Sequence, residues 1–281
     1  MRESNMTKSA TELEALAREL RARIVAFSSR TGTPHLGSCL SCLDILTALY
    51  FNILRVDPEN PYDDRRDRFI LSKGHGAPAL FQVLAMRGFF PESDLLESDH
   101  DGSGYFGEHP PTPGHLAGIE AATGSLGHGL PIGLGMAIAA RLKGLDYKVY
   151  AVLSNGECNE GSIWEAAMFA AAQRLETLAV IVDFNKWQAT GRSEDVLGPN
   201  SLEDKWRSFG WSTHSIDGHD MNAILDACRE LPDGSGKPVA IIADTVKGKG
   251  VSFMEDDNNW HYRIPSAEEV DAAKRELGVL A

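Results

Sequence analysis

The sequence predicts an α/β protein built as a three-layer, doubly wound sheet, mostly parallel, with helices on both faces. Two observations carry this. Continuous apolar runs at 149–153 (VYAVL), 178–184 (LAVIVDF) and 238–245 (PVAIIADT) are rich in Val and Ile, as strands buried on both faces are. Helical stretches at 162–174 and 221–231 separate them, the alternation expected of a parallel sheet. A third observation bears on domain organisation. There is no internal repeat, and the linker-like stretch at 232–237 (PDGSGK) is short enough to be a surface loop. Residues 1–281 therefore read as a single domain.

The elements follow in order. Leu13, Leu16, Leu20, Ile24 and Phe27 recur at helical spacing within 9–30, and a turn follows at 31–34. A second helix is expected at 41–52, stopping ahead of Asp57 and Pro58. RRDRFILSKGHGAPALF gives a short strand at 69–71, a glycine-flanked loop and a helix. Residues 88–118, rich in Gly, Pro, His and Asp, form a connection too long to be passive in a compact domain. TGSLGHGLPIGLGMAIAA (123–140) crowds Gly124, Gly127, Gly129, Gly133 and Gly135 into one apolar stretch. A glycine inside a helix costs about 1 kcal/mol relative to alanine. Tolerating several points to close backbone approach, to another helix or to a phosphate group. After the strand at 149–153 come the loop SNGECNEG and an Ala-rich helix. Residues 185–199 read as a loop, a short helix ends at 206–210, and 212–216 reads as a strand.

Composition excludes some functions. The net charge is −13, from 27 basic and 40 acidic side chains, so neither nucleic acid nor an anionic membrane is an expected partner. Arg65, Arg66 and Arg68 are interleaved with Asp63, Asp64 and Asp67, which reads as a self-paired surface. No apolar run approaches the roughly 20 residues that span a bilayer. The opening MRESNMTKSATELEALAREL is too charged for a signal peptide, and a cytoplasmic location is expected. Cys39 and Cys42 form C-x-x-C without a second pair or a matching His pair. They read as small buried side chains rather than a zinc or redox site.

One constellation points to chemistry. If the strands at 149–153 and 178–184 are parallel neighbours, their carboxyl ends lie where open α/β sheets bind ligands. Asn155 and Asn185 would then converge across about 5 Å, one strand spacing. Gly156 lets the backbone approach a bulky group, and the helix opening at 160–162 offers free N–H groups to a diphosphate. Amide and phosphate oxygens suit Mg²⁺, or another hard cation such as Ca²⁺, rather than zinc. Taken alone, the Asn-Gly pair is an ordinary βα turn.

It does not stand alone. SNGECNEGSIWEAAMFAAAQRLETLAVIVDFNKWQATG resembles the thiamine diphosphate motif of transketolases, in which G-D-G precedes an Asn by the span that separates Asn155 from Asn185. Four further segments match in the same order. TPHLGS resembles S-G-H-P-G and places His35 among the substrate contacts. RDRFILSKGHGAPAL resembles R-D-R-F-x-L-S-x-G-H and places His75 at the diphosphate. TPGHLAGIEAATGSLGHGL resembles T-P-G-H…T-G-x-L-G-x-G, placing His115 at the active-site mouth and Gly124, Ser125 and Leu126 at the cofactor. TVKGKG…NNWHYR resembles T-x-K-G-x-G…W-H-G and places Lys247 and His261 near substrate and cofactor.

The resemblance implies thiamine diphosphate as cofactor and Mg²⁺ held by Asn155, Asn185 and the Trp187 carbonyl. The cofactor would be held by His75, Gly124, Ser125, Leu126, Gly156, Glu157, Asn185, Lys247 and His261. His35, His115 and His261 would bind substrate hydroxyls and shuttle protons, work that suits an imidazole. The implied reaction moves a two-carbon ketol unit from a ketose (phosphate) to an aldose (phosphate), with the cofactor doing the hard chemistry. Family chains continue into a pyrimidine-binding and a C-terminal domain. These are expected on a partner chain, in an α2β2 assembly. Glu160 and Glu165 match the family's intersubunit contact, though a helix start favours carboxylates anyway. His128, His214 and His219 match no family role and read as structural. Two positions depart from the pattern. Asn155 replaces the metal-binding Asp with a neutral, weaker ligand. Tyr262 replaces a Gly and could reshape the substrate mouth. Two alternatives stay open: a carboligase with a different acceptor, and a weakly catalytic regulatory or binding subunit.

Overall fold

The structure is a computed structural model describing residues 7–97, 105–198 and 201–279. Helix α1 (Ala10–Thr31) opens in a capping box, Ser9 and Glu12 each accepting the other's backbone N–H, which satisfies two donors that the helix leaves free. It ends on Gly32 in the left-handed region and buries Leu13, Leu20, Ile24 and Phe27. The single helix expected at 41–52 is two helices, α2 (Leu36–Ser41) and α3 (Leu43–Ala48), broken at Cys42 and followed by one wider π turn at Leu49–Ile53. The early start was illegible because every residue of α2 is buried. A helix buried all round has no apolar stripe to read.

Strand β1 (Arg68–Leu71) leads through a tight turn into α4 (Ala77–Arg87). The expected loop at 88–118 contains α5 (Glu92–Leu96), while 98–104 lie outside the described residues. The chain continues as α6 (Gly129–Lys143), β2 (Val149–Ser154), α7 (Gly161–Ala172) and β3 (Leu178–Phe184). The loop expected at 185–199 holds a small antiparallel ribbon, β4 (Trp187–Gln188) with β5 (Gly191–Arg192), and α8 (Ser193–Leu197). Then come α9 (Leu202–Ser208), β6 (Ser212–Asp217), α10 (Met221–Arg229), β7 (Val239–Asp244) and α11 (Ala267–Glu276).

The main sheet runs β1-β2-β3-β7-β6, with every pair parallel. Successive side chains leave a strand on opposite faces. Ala179 and Ile181 join a core shared with α1, α3, α4 and α10; Val180 and Val182 join a second core under α6, α7 and α9. Both faces are covered, which is why these strands read as unbroken apolar runs. The glycine that opens α6 also has a cause. A Cβ on Gly129 would collide with the Ser72 hydroxyl, so the helix start sits directly on the β1 exit. Among the described residues no helix is long and apolar enough to cross a membrane.

Candidate functional site

Parallel pairing of β2 with β3 sets Ser154 opposite Asp183, and the Asn155 N–H donates to the Asp183 carbonyl at 3.3 Å. Asn155 and Asn185 therefore leave neighbouring strand ends on the same edge. Both are buried. The Asn155 Nδ2 donates to the Ser193 hydroxyl, and its Oδ1 is buried with no partner. The Asn185 Nδ2 donates to Ser41 Oγ at 3.2 Å and to Asp183 Oδ2 at 3.3 Å, while its Oδ1 accepts the Trp187 N–H at 3.1 Å. Lys186 between them is left-handed, at φ 69°, an unfavourable conformation for a non-glycine residue that surrounding structure must hold.

Beside these strand ends lies a cavity of about 440 Å³. Four histidines line it: His35, His75, His109 and His261. His35 is also left-handed, at φ 69°, and its N–H donates to the His261 carbonyl at 2.8 Å. That bond ties two distant segments together and sets the two rings 4.7 Å apart, with His75 5.5 Å from His35 and 5.8 Å from His261. Lys247 reaches in beside them, its Nζ 2.6 Å from Asn258 Oδ1 and 3.2 Å from His261 Nδ1.

Burial governs the protonation of this cluster. It lowers the pKa of Lys247 to about 8, helped by Lys73 and opposed by Asp183 and Asp257. Burial, then Lys247, His35 and Lys73, lowers His261 to about 3. His75 is held well below its ordinary value by burial, then by Lys73. His35 is lowered by burial, against the pull of Glu108. At neutral pH these imidazoles are uncharged, so each presents one donor and one acceptor.

Three polar atoms around the strand ends and cavity are buried without a partner: Asn155 Oδ1, His35 Nδ1 and Gln188 Nε2. Each such atom costs about 1–3 kcal/mol unless something satisfies it. They fit a polar ligand. Two amide oxygens on adjacent strand ends fit a hard cation with phosphate oxygens completing its shell. Among the described residues, no group of three or more His, Cys, Asp or Glu side chains could hold a metal. The wall is shaped for close approach. A Cβ on Gly124, at φ 149°, would meet the His109 ring at 2.7 Å, and one on Gly74 would meet the Thr123 backbone carbon at 2.5 Å. Gly74→Ala is therefore expected to part these two turns, costing about 1–3 kcal/mol of overpacking. A thermal melt of the variant measures it.

His35, His75, His261, Lys247, Gly124, Leu126, Gly156, Asn185 and Trp187 all line the cavity, and Asn155 lines the adjoining cleft beside Ser193 and Glu194. Three expected residues are placed elsewhere. His115 is exposed and packs on Tyr105 at 5.2 Å. Ser125 is exposed and is not part of the lining. Glu157 is fully buried under the cavity wall, where its carboxylate accepts from Ser72 Oγ and the Gly127 and Ser154 N–H groups. It braces the glycine turn rather than facing a ligand. His109, not among the expected residues, lines the cavity with its ring 6.4 Å from His35. His109 and His115 sit in the same Pro-rich loop, and spacing alone does not rank them.

Of the three histidines read as structural, His219 is tied into the framework. The ring of His219 bonds Asp44 at 2.7 Å and accepts the Val246 N–H at 2.9 Å, bracing the segment that carries Lys247. Cys39 and Cys42 are free and buried, and burial raises their pKa values to about 12 and about 11, so neither is a ready thiolate.

A parallel α/β sheet with a polar cavity on its carboxyl edge, bounded by glycine turns and amides, defines a cofactor-binding domain. The family "Transketolase, thiamine diphosphate binding domain" matches residues 13–280. The chain is 41% identical to an apulose-4-phosphate transketolase subunit from Phocaeicola vulgatus, over 94% of this chain and 93% of that one. It is 39% identical to the 6-deoxy-6-sulfo-D-fructose transketolase subunit SqwG of a Clostridium species, over 97% and 98%. Among solved structures, the transketolase of Leishmania mexicana superposes with a TM-score of 0.86 at 27% identity, over 97% of this chain but only 42% of that one. The chain spans less than half of that solved chain. It belongs to the transketolase family, whose members are transferases of two-carbon ketol units, and carries that family's thiamine diphosphate-binding domain.

Proposed function

We propose that this chain is the thiamine diphosphate-binding subunit of a two-chain transketolase. It would move a two-carbon ketol unit from a ketose (phosphate) to an aldose (phosphate). The observation that carries this is the buried Asn155 Oδ1 without a partner at a strand end beside a four-histidine cavity. Thiamine diphosphate, when bound, supplies the carbon nucleophile that accepts the two-carbon unit. Asn155, Asn185 and the Trp187 carbonyl would hold Mg²⁺, or a similar divalent cation. His75, Gly124, Leu126 and Gly156 would line the cofactor, and the Lys247 ammonium would offset its negative charge. His35, His109 and His261 would bind sugar hydroxyls. The uncharged His35 and His261 imidazoles each offer a ring nitrogen that can accept a hydrogen bond from a sugar hydroxyl.

Both similar subunits are named as parts of transketolases, which supports a partner chain carrying the remaining domains. An α2β2 assembly in the cytoplasm is the arrangement we propose. Exposed Ile132 and Leu142 on α6, with Met168 and Phe169 on α7, give it apolar surface to bury. Mg²⁺-dependent binding of thiamine diphosphate to the two-chain complex, followed by transfer assays with several ketoses and aldoses, tests the proposal. Asn155→Ala is expected to weaken Mg²⁺ binding about tenfold or more while leaving the fold intact. Unchanged affinity would remove Asn155 from the site.

A second reading, a carboligase with another acceptor, is favoured by Tyr262. Its ring is exposed at the cavity mouth, 5.7 Å from His35 and 4.7 Å from His261. Transfer to non-phosphorylated aldehydes, with none to aldose phosphates, would establish it.

A further inference from the structure

Asp183, the last buried residue of β3, gathers four segments of chain. Its Oδ2 accepts from Lys73 Nζ at 2.5 Å, from Ser41 Oγ at 2.6 Å and from Asn185 Nδ2 at 3.3 Å, while its Oδ1 accepts from Thr245 Oγ1. Lys73 and Asp183 are both fully buried, and the second Lys73 hydrogen bond goes to the Ser38 carbonyl at 2.9 Å. Such a pair gains little stability over a well-packed apolar one, because burying both charges offsets their attraction. Its geometry points to another role.

The two ends of an asparagine amide have nearly the same shape, so only hydrogen bonding fixes which end faces where. On one side of Asn185 stand the Asp183 carboxylate, which accepts, and Ser41, whose one hydroxyl proton is engaged by Asp183 at 2.6 Å and the Ser38 carbonyl at 3.1 Å. Both therefore offer lone pairs. A flipped Asn185 would set its carbonyl oxygen against a carboxylate oxygen. The opposite end, Oδ1, is thereby sent toward the Trp187 N–H, with a second lone pair left over.

We infer that the Lys73–Asp183 ion pair, acting through Ser41, is a positioning device that locks the Asn185 amide with its oxygen presented to the cation. Asp183 sets the direction, and Lys73 supplies its countercharge. Neither touches the ligand. The inference rests on the functional reading above for the identity of the cation.

The test compares the wild-type chain with the double variant Lys73→Gln/Asp183→Asn, which removes both charges and gives position 183 donors as well as an acceptor. In the two-chain complex at saturating thiamine diphosphate, the Mg²⁺ affinity of the double variant is expected to fall about 10- to 100-fold. Wild-type affinity in the double variant would overturn the inference. The second readout needs no ligand. In the full ligand-free chain, the side-chain amide protons of Asn185, assigned with Asn185→Asp, should be protected from solvent exchange. They should lose that protection in the double variant. Equal protection in both would also overturn the inference. A wild-type complex that binds neither Mg²⁺ nor thiamine diphosphate, but shows this difference in protection, would sink the proposed function and leave the amide lock standing. Should the double variant fail to fold, Ser41→Ala reads the same network. Weaker Mg²⁺ binding supports the lock, and unchanged binding overturns it.

Discussion

Lys73→Met is expected to lower the free energy of unfolding by about 3–5 kcal/mol. The substitution preserves most of the side-chain volume, so the loss does not come from a cavity. It comes from Asp183, left at 0% side-chain exposure with its countercharge removed. A buried carboxylate without a countercharge is costly, even where Ser41, Asn185 and Thr245 still donate to it. It must take up a proton, draw in water or unfold its surroundings, and each route costs several kcal/mol. Urea denaturation followed by circular dichroism measures the loss. Neutralising Asp183 in the same chain, as Lys73→Met/Asp183→Asn, is expected to recover most of it, because the damage lies in the orphaned charge and not in the missing attraction. A single variant within about 1 kcal/mol of wild type would refute this account of the pair.

The second large effect is acid sensitivity set by the histidine cluster. His261 is lowered to about 3 in the folded chain, against about 6.5 when unfolded. Between those values the unfolded chain holds a proton that the folded chain does not. Stability then falls as pH falls, by about 1.4 kcal/mol for each pH unit traversed well inside the window. His75 and His35 are also lowered and act in the same direction. Lys247, lowered to about 8, acts with the same sign in a window at higher pH. Its buried charge is a cost that is fully present below about 8 and is relieved as pH rises toward its unfolded value. Denaturant titrations from pH 6 to pH 4 should therefore show a steep loss, less steep in His261→Gln by about 1.4 kcal/mol per pH unit. Equal slopes would place the acid sensitivity elsewhere.

The legible part of this protein is the part with a period or a punctuation mark. The strands of β2, β3 and β7 were visible because both faces are covered and every residue had to be apolar. The long helix α1 showed its stripe and its cap. Asn155 and Asn185 were legible as a pair because each follows directly on such a strand. What escaped were segments whose residues answer to distant neighbours. Helix α2 is six residues, all buried by other elements, so it shows no one-sided apolar stripe. His109 and His115 lie in one loop with the same chemistry, and only the fold of that loop turns the first toward His35 and the second toward Tyr105. Glu157 follows Gly156 at the strand exit, yet its carboxylate is taken by Gly127, thirty residues away in sequence.

The layered sheet, the pair of strand exits and the glycine turns are written in residue order, because burial on two faces and tight backbone approach each demand particular residue types at particular positions. Which histidines meet, that Lys73 and Asp183 are partners 110 residues apart, and which way the Asn185 amide points follow from the packed fold alone. Those are questions of through-space hydrogen bonding between segments, and the order of residues along the chain carries no record of which side chains will share a buried proton.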